Sequence, residues 1–554
     1  MKFLKFKKKL LCFVCASATL AGVFFPVQTA FAADSSYEPV TTTDTVYEGF
    51  FNGTSSLDMT LSARFTSGAM NEDGGSSEIV AYNEKYNTAY VVNGTKGVLD
   101  CIALAHEKTE SSVKNLTGTE LDVKALVEGK DSSFTYGDMT SVSVSPDGKM
   151  VAVAVQDADY SKSGRAVLFT YNKNKKLVLK EMITTGVQPD MITFADNKTV
   201  LTADEGEPRE GVSGTDPKGS VTMISISNNS KKASKANIIY FDSFDAKRGQ
   251  LTDAGVIIQK GTNPSTDFEP EYIAVSSNGK TAYVALQEAN SIAVLNLKSG
   301  KFTNVYSLGL QNYNETEIDL LKNDEINLAN YDVYGIKMPD GITLYEQKGK
   351  TYLLTANEGD SRADWEGLDN EVESKTSPSG DLKLSEKVVW FNAGMFDGLD
   401  SEKAYIFGGR SFSMYQVTSQ GLKLVFDSGS DFESITAEVL PDYFNCSNDK
   451  ISLDNRSGKK GPEAESVTIG KIKNRTYAFI ALERISGIMV YDITNPTNVQ
   501  FTNYINSRDF SAKVQDDVSP EGLAFVSGNR RTAKLLASCE VSGTVAVYDL
   551  KAVK

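Results

Sequence analysis

Carboxylates recur in this chain at a fixed place in a repeated phrase. Aligned on their first strand, the phrases carry an acid at one position six times, at Glu78, Asp190, Glu271, Asp340, Glu465 and Glu521, and Thr140 takes it in a further copy. A second polar position follows the second strand: Gln156 with Asp157, Glu205, Glu288, Glu358, Glu483 and Glu540. Carboxylates brought together must share protons, pair with bases or bind cations. Two like charges about 4 Å apart repel by roughly 1 kcal/mol in water and roughly 4 kcal/mol at an effective dielectric of 20. With one histidine and five cysteines in 554 residues, an all-oxygen site for calcium, and after it magnesium, is expected in place of zinc. Arg209, Arg362, Arg410, Arg456, Lys460 and Arg508 occupy comparable loop positions as basic partners, and Arg410, Arg456, Lys460 and Arg508 are the candidates to bind phosphate or another anion. The single histidine, His106 in ALAHEK, is read as an ordinary surface residue, and no His-based catalytic triad is expected.

The phrase that carries these acids is plainest as PEYIAVSSNGKTAYVALQEANSIAVLNL, Pro270 to Leu297. Related versions start at Ser77, Thr140, Pro189, Pro339, Ala464 and Pro520, and a degenerate one, SEKAYIFGGRSFSMYQV, starts at Ser401. Each has an alternating strand, a polar turn and a second β-branched or aromatic strand, which is strand chemistry at period two. Radial repetition of such small sheets makes an all-β propeller, here of seven or eight blades with long polar loops on the funnel face. Two packed β-sandwiches are the runner-up. The start of one antiparallel strand lies beside the end of the next, so both polar positions belong at one end of every blade and converge on one channel mouth. The segment VYEGFFNGTSSLDMTLSARF, from Val46, is expected to complete a blade with the C-terminal strands, and ETEIDLLKNDEINLANY, from Glu315, is the one stretch that reads as a short helix.

The basic start MKFLKFKKK, the apolar run after it and AFA before Ala33 read as a signal peptide over residues 1–32, leaving 33–554 as a single propeller domain. The leader holds five lysines and no acid, so its removal takes the net charge from −15 to −20. That balance excludes nucleic acid as a partner. A secreted, monomeric protein without a membrane span or evident anchor is expected. The three cysteines outside the leader are too few for a disulfide framework. The acidic loops EGDSRADWEGLDNEVE, from Glu358, and DEGEPREGVSGTDPKGS, from Asp204, do not have the spacing of an EF-hand.

Several phrases are specific enough to point to a family: TANEGDSR from Thr355, DPKGSVTMI from Asp216, EPEYIAV from Glu269, KGPEAESVTIG from Lys460, FESITAE from Phe432, NSRDF from Asn506 and PEGLAF from Pro520. Through them the chain, from about Tyr47 to Leu550, resembles the choice-of-anchor I family, secreted β-propeller proteins related to mesenchyme-specific cell surface glycoproteins. The resemblance implies an exported propeller acting in extracellular matrix, surface or mineral interactions. Bacterial members are also labelled alkaline phosphatases, and the acidic funnel is similar to that of calcium-dependent propeller phytases. A metal-dependent phosphoesterase acting on a small phosphate ester is therefore the alternative, and the resemblance supplies no catalytic residue set for it.

Overall fold

The computed structural model describes residues 46–49, 55–104, 113–211, 214–229, 231–362, 365 and 367–553. The expected leader and His106 lie outside these. Seven sheets follow one another along the chain, each with four antiparallel strands, and two of them gain a fifth strand at the outer edge. Their first strands are Val80–Asn83, Tyr136–Val144, Pro189–Asp196, Pro270–Val275, Ile342–Gln347, Ala464–Ile472 and Pro520–Ser527. Each first strand packs against the next, and the seventh packs against the first. The molecule is a seven-bladed β-propeller, with blades 1 to 7 in that order.

Burial explains why the strands read as they do. The second strand of each blade is covered on both faces by neighbouring blades, so its apolar residues run on without alternation, as in Met150–Asp157 and Arg475–Leu482. Outer strands keep a solvent face and alternate, as in Leu177–Val187. Seven apolar clusters fill the seven interblade spaces. One joins blades 5 and 6 through Leu354, Phe412, Ile480 and Leu482, and another joins blades 7 and 1 through Phe65, Val91, Leu536 and Val547.

The N-terminal segment closes the ring as expected. Leu57–Thr66 is the fourth strand of blade 7, antiparallel to Thr544–Ala552 from Leu57 opposite Ala552 to Thr66 opposite Thr544. Tyr47–Gly49 caps the outer edge of blade 6. Two expectations are corrected. The degenerate phrase from Ser401 is not an eighth blade: Phe412–Thr418 is the third strand of blade 5, cut off from Lys350–Ala356 by a long insertion. The stretch from Glu315 forms no helix. Its Ile318 bridges Ala329, and the apolar spacing reflects burial of Ile318 and Leu320 under an accessory sheet with Trp390.

Chain direction places the insertions. First and third strands leave the mouth and second and fourth strands return to it, so second-to-third loops and interblade links gather on the mouth face. The longest insertions are of these two kinds, among them 357–411, 428–463 and 308–341. The opposite face has tight hairpins such as Gln347 to Lys350.

Candidate cation centre at the channel mouth

The seven first strands line one axial channel of about 300 Å³, with Ile79, Ser141, Met191, Tyr272, Asp340, Ser466 and Glu521 among its walls. The repeated acids therefore surround a common axis. The hairpin geometry is the expected one: Pro520 faces Cys539 and Ala464 faces Leu482, which puts Glu521 beside Glu540 and Glu465 beside Glu483. In five blades the first-position residue sits where the ladder slips register, at Thr140, Asp190, Glu271, Glu465 and Glu521. Such a bulge re-aims one side chain out of the pleat. Two residues earlier, Gln188, Met338, Glu463 and Ser519 hold positive φ of 43–60°. This left-handed turn swings the chain from the mouth face into the inner strand.

All twelve acids at the two positions are between 0 and 8% exposed. Close approach of the inner strands brings those of adjacent blades together. A Cβ at Gly341 would lie 2.7 Å from Ser466 Cα, and Gly341 N donates to Glu465 O at 3.0 Å. Only glycine fits beside Asp340, and that fit sets Asp340 of blade 5 against Glu465 of blade 6.

Two arcs of the mouth contain most of the charge. On the arc of blades 5 and 6, Asp340, Glu358 and Glu465 form one trio and Glu358, Glu463 and Glu483 another, each with a carboxylate oxygen from every member within 4.8 Å of the others. Glu358 Oε2 also accepts from Gln287 Nε2 of blade 4 at 2.8 Å. Lys460 Nζ lies 3.5 Å from Glu358 Oε1, 3.7 Å from Asp360 Oδ1 and 3.5 Å from Glu463 Oε2. Arg484 Nε donates to Glu463 Oε2 at 2.9 Å, and Arg484 Nη1 pairs with Glu483 Oε1 at 3.0 Å. Arg456 also pairs with Glu463. Burial, with Arg484 and Arg410 nearby, pushes the Arg456 guanidinium down to about 9.

On the arc of blades 3 and 4, Arg362 Nη1 pairs with Asp267 Oδ1 at 3.1 Å and Nη2 with Glu269 Oε2 at 3.4 Å, while its guanidinium stacks 4.6 Å from the Trp365 ring centre. Glu269 is pushed well above the ordinary glutamate range, first by burial and then by Glu288, Glu205 and Asp267, against the pull of Arg362. Burial also raises Asp216 nearby to about 6.

The four basic candidates divide. Arg456 and Lys460 stand at the blade 5–6 centre. Arg410 gives its guanidinium to Glu433 and to the carbonyls of Asp319, Ser457 and Lys459, and Arg508 donates to the carbonyls of Ser447, Arg484, Asn448 and Lys513. Both tie mouth loops together. Glu463, Glu269 and Arg484 were missed as site residues, whereas Arg362 was expected as a basic partner of the acids. A signal for the two acids was legible, since both precede a first-position acid by two residues, in EPE and EAE.

A buried, acid-lined mouth on a seven-bladed ring defines a β-propeller with an acidic funnel. The choice-of-anchor I domain model matches residues 78–496, and the chain belongs to that family. It is 26% identical over 349 residues to the mesenchyme-specific cell surface glycoprotein of Strongylocentrotus purpuratus, covering 54% of this chain and 42% of that protein. It is 32% identical over 99 residues to Gigasin-3a of Magallana gigas, covering 17% of this chain and 34% of that protein. The matches span less than half the length of these relatives. Among solved structures, a Lactobacillus plantarum protein has a TM-score of 0.44 at 9% identity, covering 85% of this chain and 99% of that one. The Myceliophteria thermophila Cps50 (Swd1) β-propeller domain has a TM-score of 0.43 at 9% identity, covering 87% and 98%. Similarities this remote say nothing of what the chain binds. No helix among the described residues is long and apolar enough to cross a membrane.

Proposed function

We propose that this protein is a secreted, cation-binding propeller that holds calcium at its mouth and acts in extracellular matrix, surface or mineral interactions. The carrying observation is the trio Asp340, Glu358 and Glu465, buried and close enough to share one ion. Charge supports it. Asp340, Glu358, Asp360, Glu463, Glu465 and Glu483 meet Arg456, Lys460 and Arg484 there, an excess of three acids that a divalent ion would reduce. Calcium suits the set because it accepts six to eight oxygens in irregular geometry, whereas magnesium demands a near-octahedral shell. The extracellular part of the reading draws on the family, on the cell-surface name of the sea-urchin relative and on the leader expected at residues 1–32.

The phosphoesterase alternative draws on the same ion. It is the weaker reading because Arg410 and Arg508 are spent on loop carbonyls, which leaves fewer guanidinium groups for phosphate. The test is thermal melting of the purified chain in millimolar calcium and in EDTA. A ligand held only by the folded state adds about 2.7 kcal/mol at 100 times its dissociation constant, so calcium is expected to raise the midpoint by several degrees. Coincident curves would remove the cation reading. Phosphate release from p-nitrophenyl phosphate in the calcium sample would restore the enzyme.

A further inference from the structure

The repeat places bases as regularly as it places acids, at the other end of the blade. First-to-second turns lie on the face opposite the mouth, and in blades 1 to 3 they carry Lys85, Lys149 and Lys198. Those of blades 4 to 7 carry Lys280, Lys348, Lys473 and the pair Arg530 and Arg531. All eight bases are exposed, and the seven turns contain only two acids, Glu84 and Asp147. The third-to-fourth turns of blades 2, 3 and 4 add Lys173, Lys175, Lys176, Lys231, Lys232 and Lys298, all exposed, and no acid; those of blades 5 and 6 have no charged residue. Fourteen bases against two acids thus stand on one face of a chain whose net charge is −15. Of the fourteen, only Lys149 has an ion-pair partner among the described residues, and it is Asp147.

The bases are densest where blades 2 and 3 adjoin. Asp147 N donates to Asn197 Oδ1 at 2.9 Å, which joins the turns of Lys149 and Lys198. Ile226 N donates to Lys198 O at 2.7 Å, and Lys180 Nζ donates to Ser227 O at 3.2 Å. These contacts set the loop of Lys231 and Lys232 against both neighbours, with Lys180 following closely on the turn of Lys173 to Lys176.

Exposed ammonium groups on separate turn tips suit a long polyanion. A small anion needs donors that converge in a pocket, whereas a polymer meets such groups one after another and releases counterions at each. Twelve of the fourteen are lysine. An ammonium takes phosphate as a point charge, while carboxylate favours the planar guanidinium fork. A lipid surface would call for apolar side chains to insert, and the exposed large hydrophobics Met70, Val178, Tyr240, Leu424 and Val553 all lie outside these turns. The acids of the mouth do not oppose docking. Pro189–Asp196 spans 8 residues, about 25 Å at roughly 3.3 Å per residue, and salt screens charges beyond about 8 Å.

Resting only on the extracellular part of the reading above, we propose that the face opposite the mouth docks a phosphate-bearing extracellular polymer, seated across blades 2 and 3. The propeller is then polarised, with one face along the polymer and the acidic mouth directed away from it.

The probe is long-chain inorganic polyphosphate, titrated into the full chain in EDTA so that no bound calcium enters the result. Wild type is expected to bind, more weakly as salt rises. Lys173→Gln/Lys176→Gln/Lys231→Gln/Lys232→Gln removes four contacts. At about 0.7 per contact for a single strand, the slope of log affinity against log salt should shrink by roughly 3, and affinity should fall by about tenfold or more. Lys375→Gln/Lys383→Gln/Lys387→Gln/Lys403→Gln, in the mouth-side insertion, makes the same change in net charge and should bind as wild type does. No binding by wild type, equal losses in the two variants, or tighter binding to anionic-lipid vesicles than to polyphosphate would overturn the proposal. So would a wild-type dimer in gel filtration that the first variant abolishes, since the face would then seat a second copy. If the first variant does not fold, Lys173→Gln/Lys232→Gln is judged by the same criteria. Export is read separately, by finding the chain outside the producing cell, so a failed docking and a failed extracellular reading give different results.

Discussion

Glu269 and Glu463 occupy the same place in the repeat, two residues before the first-position acids Glu271 and Glu465, on opposite arcs of one mouth. They are 3% and 0% exposed. Their surroundings have been resolved in different ways. Glu463 meets Lys460 and Arg456 from its own loop and Arg484 from the position after Glu483. Blade 4 has Ala289 where blade 6 has Arg484, so Glu269 depends on a guanidinium sent across from the blade 5 insertion, that of Arg362. One cation serves Asp267 and Glu269 and also faces Glu288, and burial with the remaining repulsion pushes Glu269 well above the ordinary glutamate range. Repetition alone crowds carboxylates around an axis. What each arc then does with them is decided by where the non-repeating loops deliver positive charge.

The contrast can be broken most severely at Arg362. Removing one partner from a buried ion pair costs about 3–5 kcal/mol because the other charge is left uncompensated, and Arg362 is 3% exposed with two carboxylates on it. Arg362→Met should lower the unfolding free energy measured in urea by that amount, and calcium should not restore it, since no three carboxylates on that arc are close enough to share an ion among the described residues. Lys460→Met should cost less in calcium than in EDTA, because an ion held by Asp340, Glu358 and Glu465 would offset part of the positive charge lost beside Glu358. Equal losses for the two variants, or rescue of Arg362→Met by calcium, would show that the arcs do not differ in this way.

A smaller effect is expected from neutralising the ion trio. Asp340→Asn with Glu465→Gln keeps side-chain volume and removes two of three carboxylates, so the calcium-dependent rise in melting temperature should vanish. Glu271→Ala, on the other arc, should leave that rise intact. A calcium shift lost equally in both variants would mean that the ion is held by the whole ring and not by blades 5 and 6.

The ring was legible in the sequence because its signals are local and repeated. Strand periodicity, turn residues and the acid at the first position each recur, and the Pro520–Cys539 type of hairpin follows from antiparallel pairing alone. The closing strand from Leu57 was legible for the same reason, as alternating apolar residues with no partner nearby in sequence. The chemistry of the arcs was not. Arg362 reaches Asp267 and Glu269 over more than 90 residues, and Gln287 reaches Glu358 over 71. Those contacts are fixed by which blades are neighbours and by how insertions fold over the mouth. The stretch from Glu315 shows the opposite error, since helix-like spacing there answers to burial under an accessory sheet. The phrase from Ser401 was read as a unit because its second half is a genuine blade strand, displaced from its partner by an insertion with strands of its own.

The finest distinction between the arcs is one of protons. Because burial and its acidic neighbours raise Glu269 above its ordinary value of 4.5, the folded protein holds a proton there that the unfolded chain releases. Stability changes with pH in proportion to protons bound unfolded minus protons bound folded, and for this group that difference is negative from about pH 4.5 up to its raised value. The contribution is therefore largest in acid and is lost as pH rises through that window. Glu269→Gln places a permanently neutral amide in the same volume. Unfolding free energies measured by urea at several points from pH 5 to 8 should fall more steeply with pH for wild type than for the variant, with the two curves closest at the acid end. The slope difference is expected to be small beside the loss from Arg362→Met, because Arg362 opposes the shift and would itself be left with one fewer carboxylate. Parallel curves would mean that Glu269 is ionised in the folded state, and the two arcs would then share one electrostatic solution.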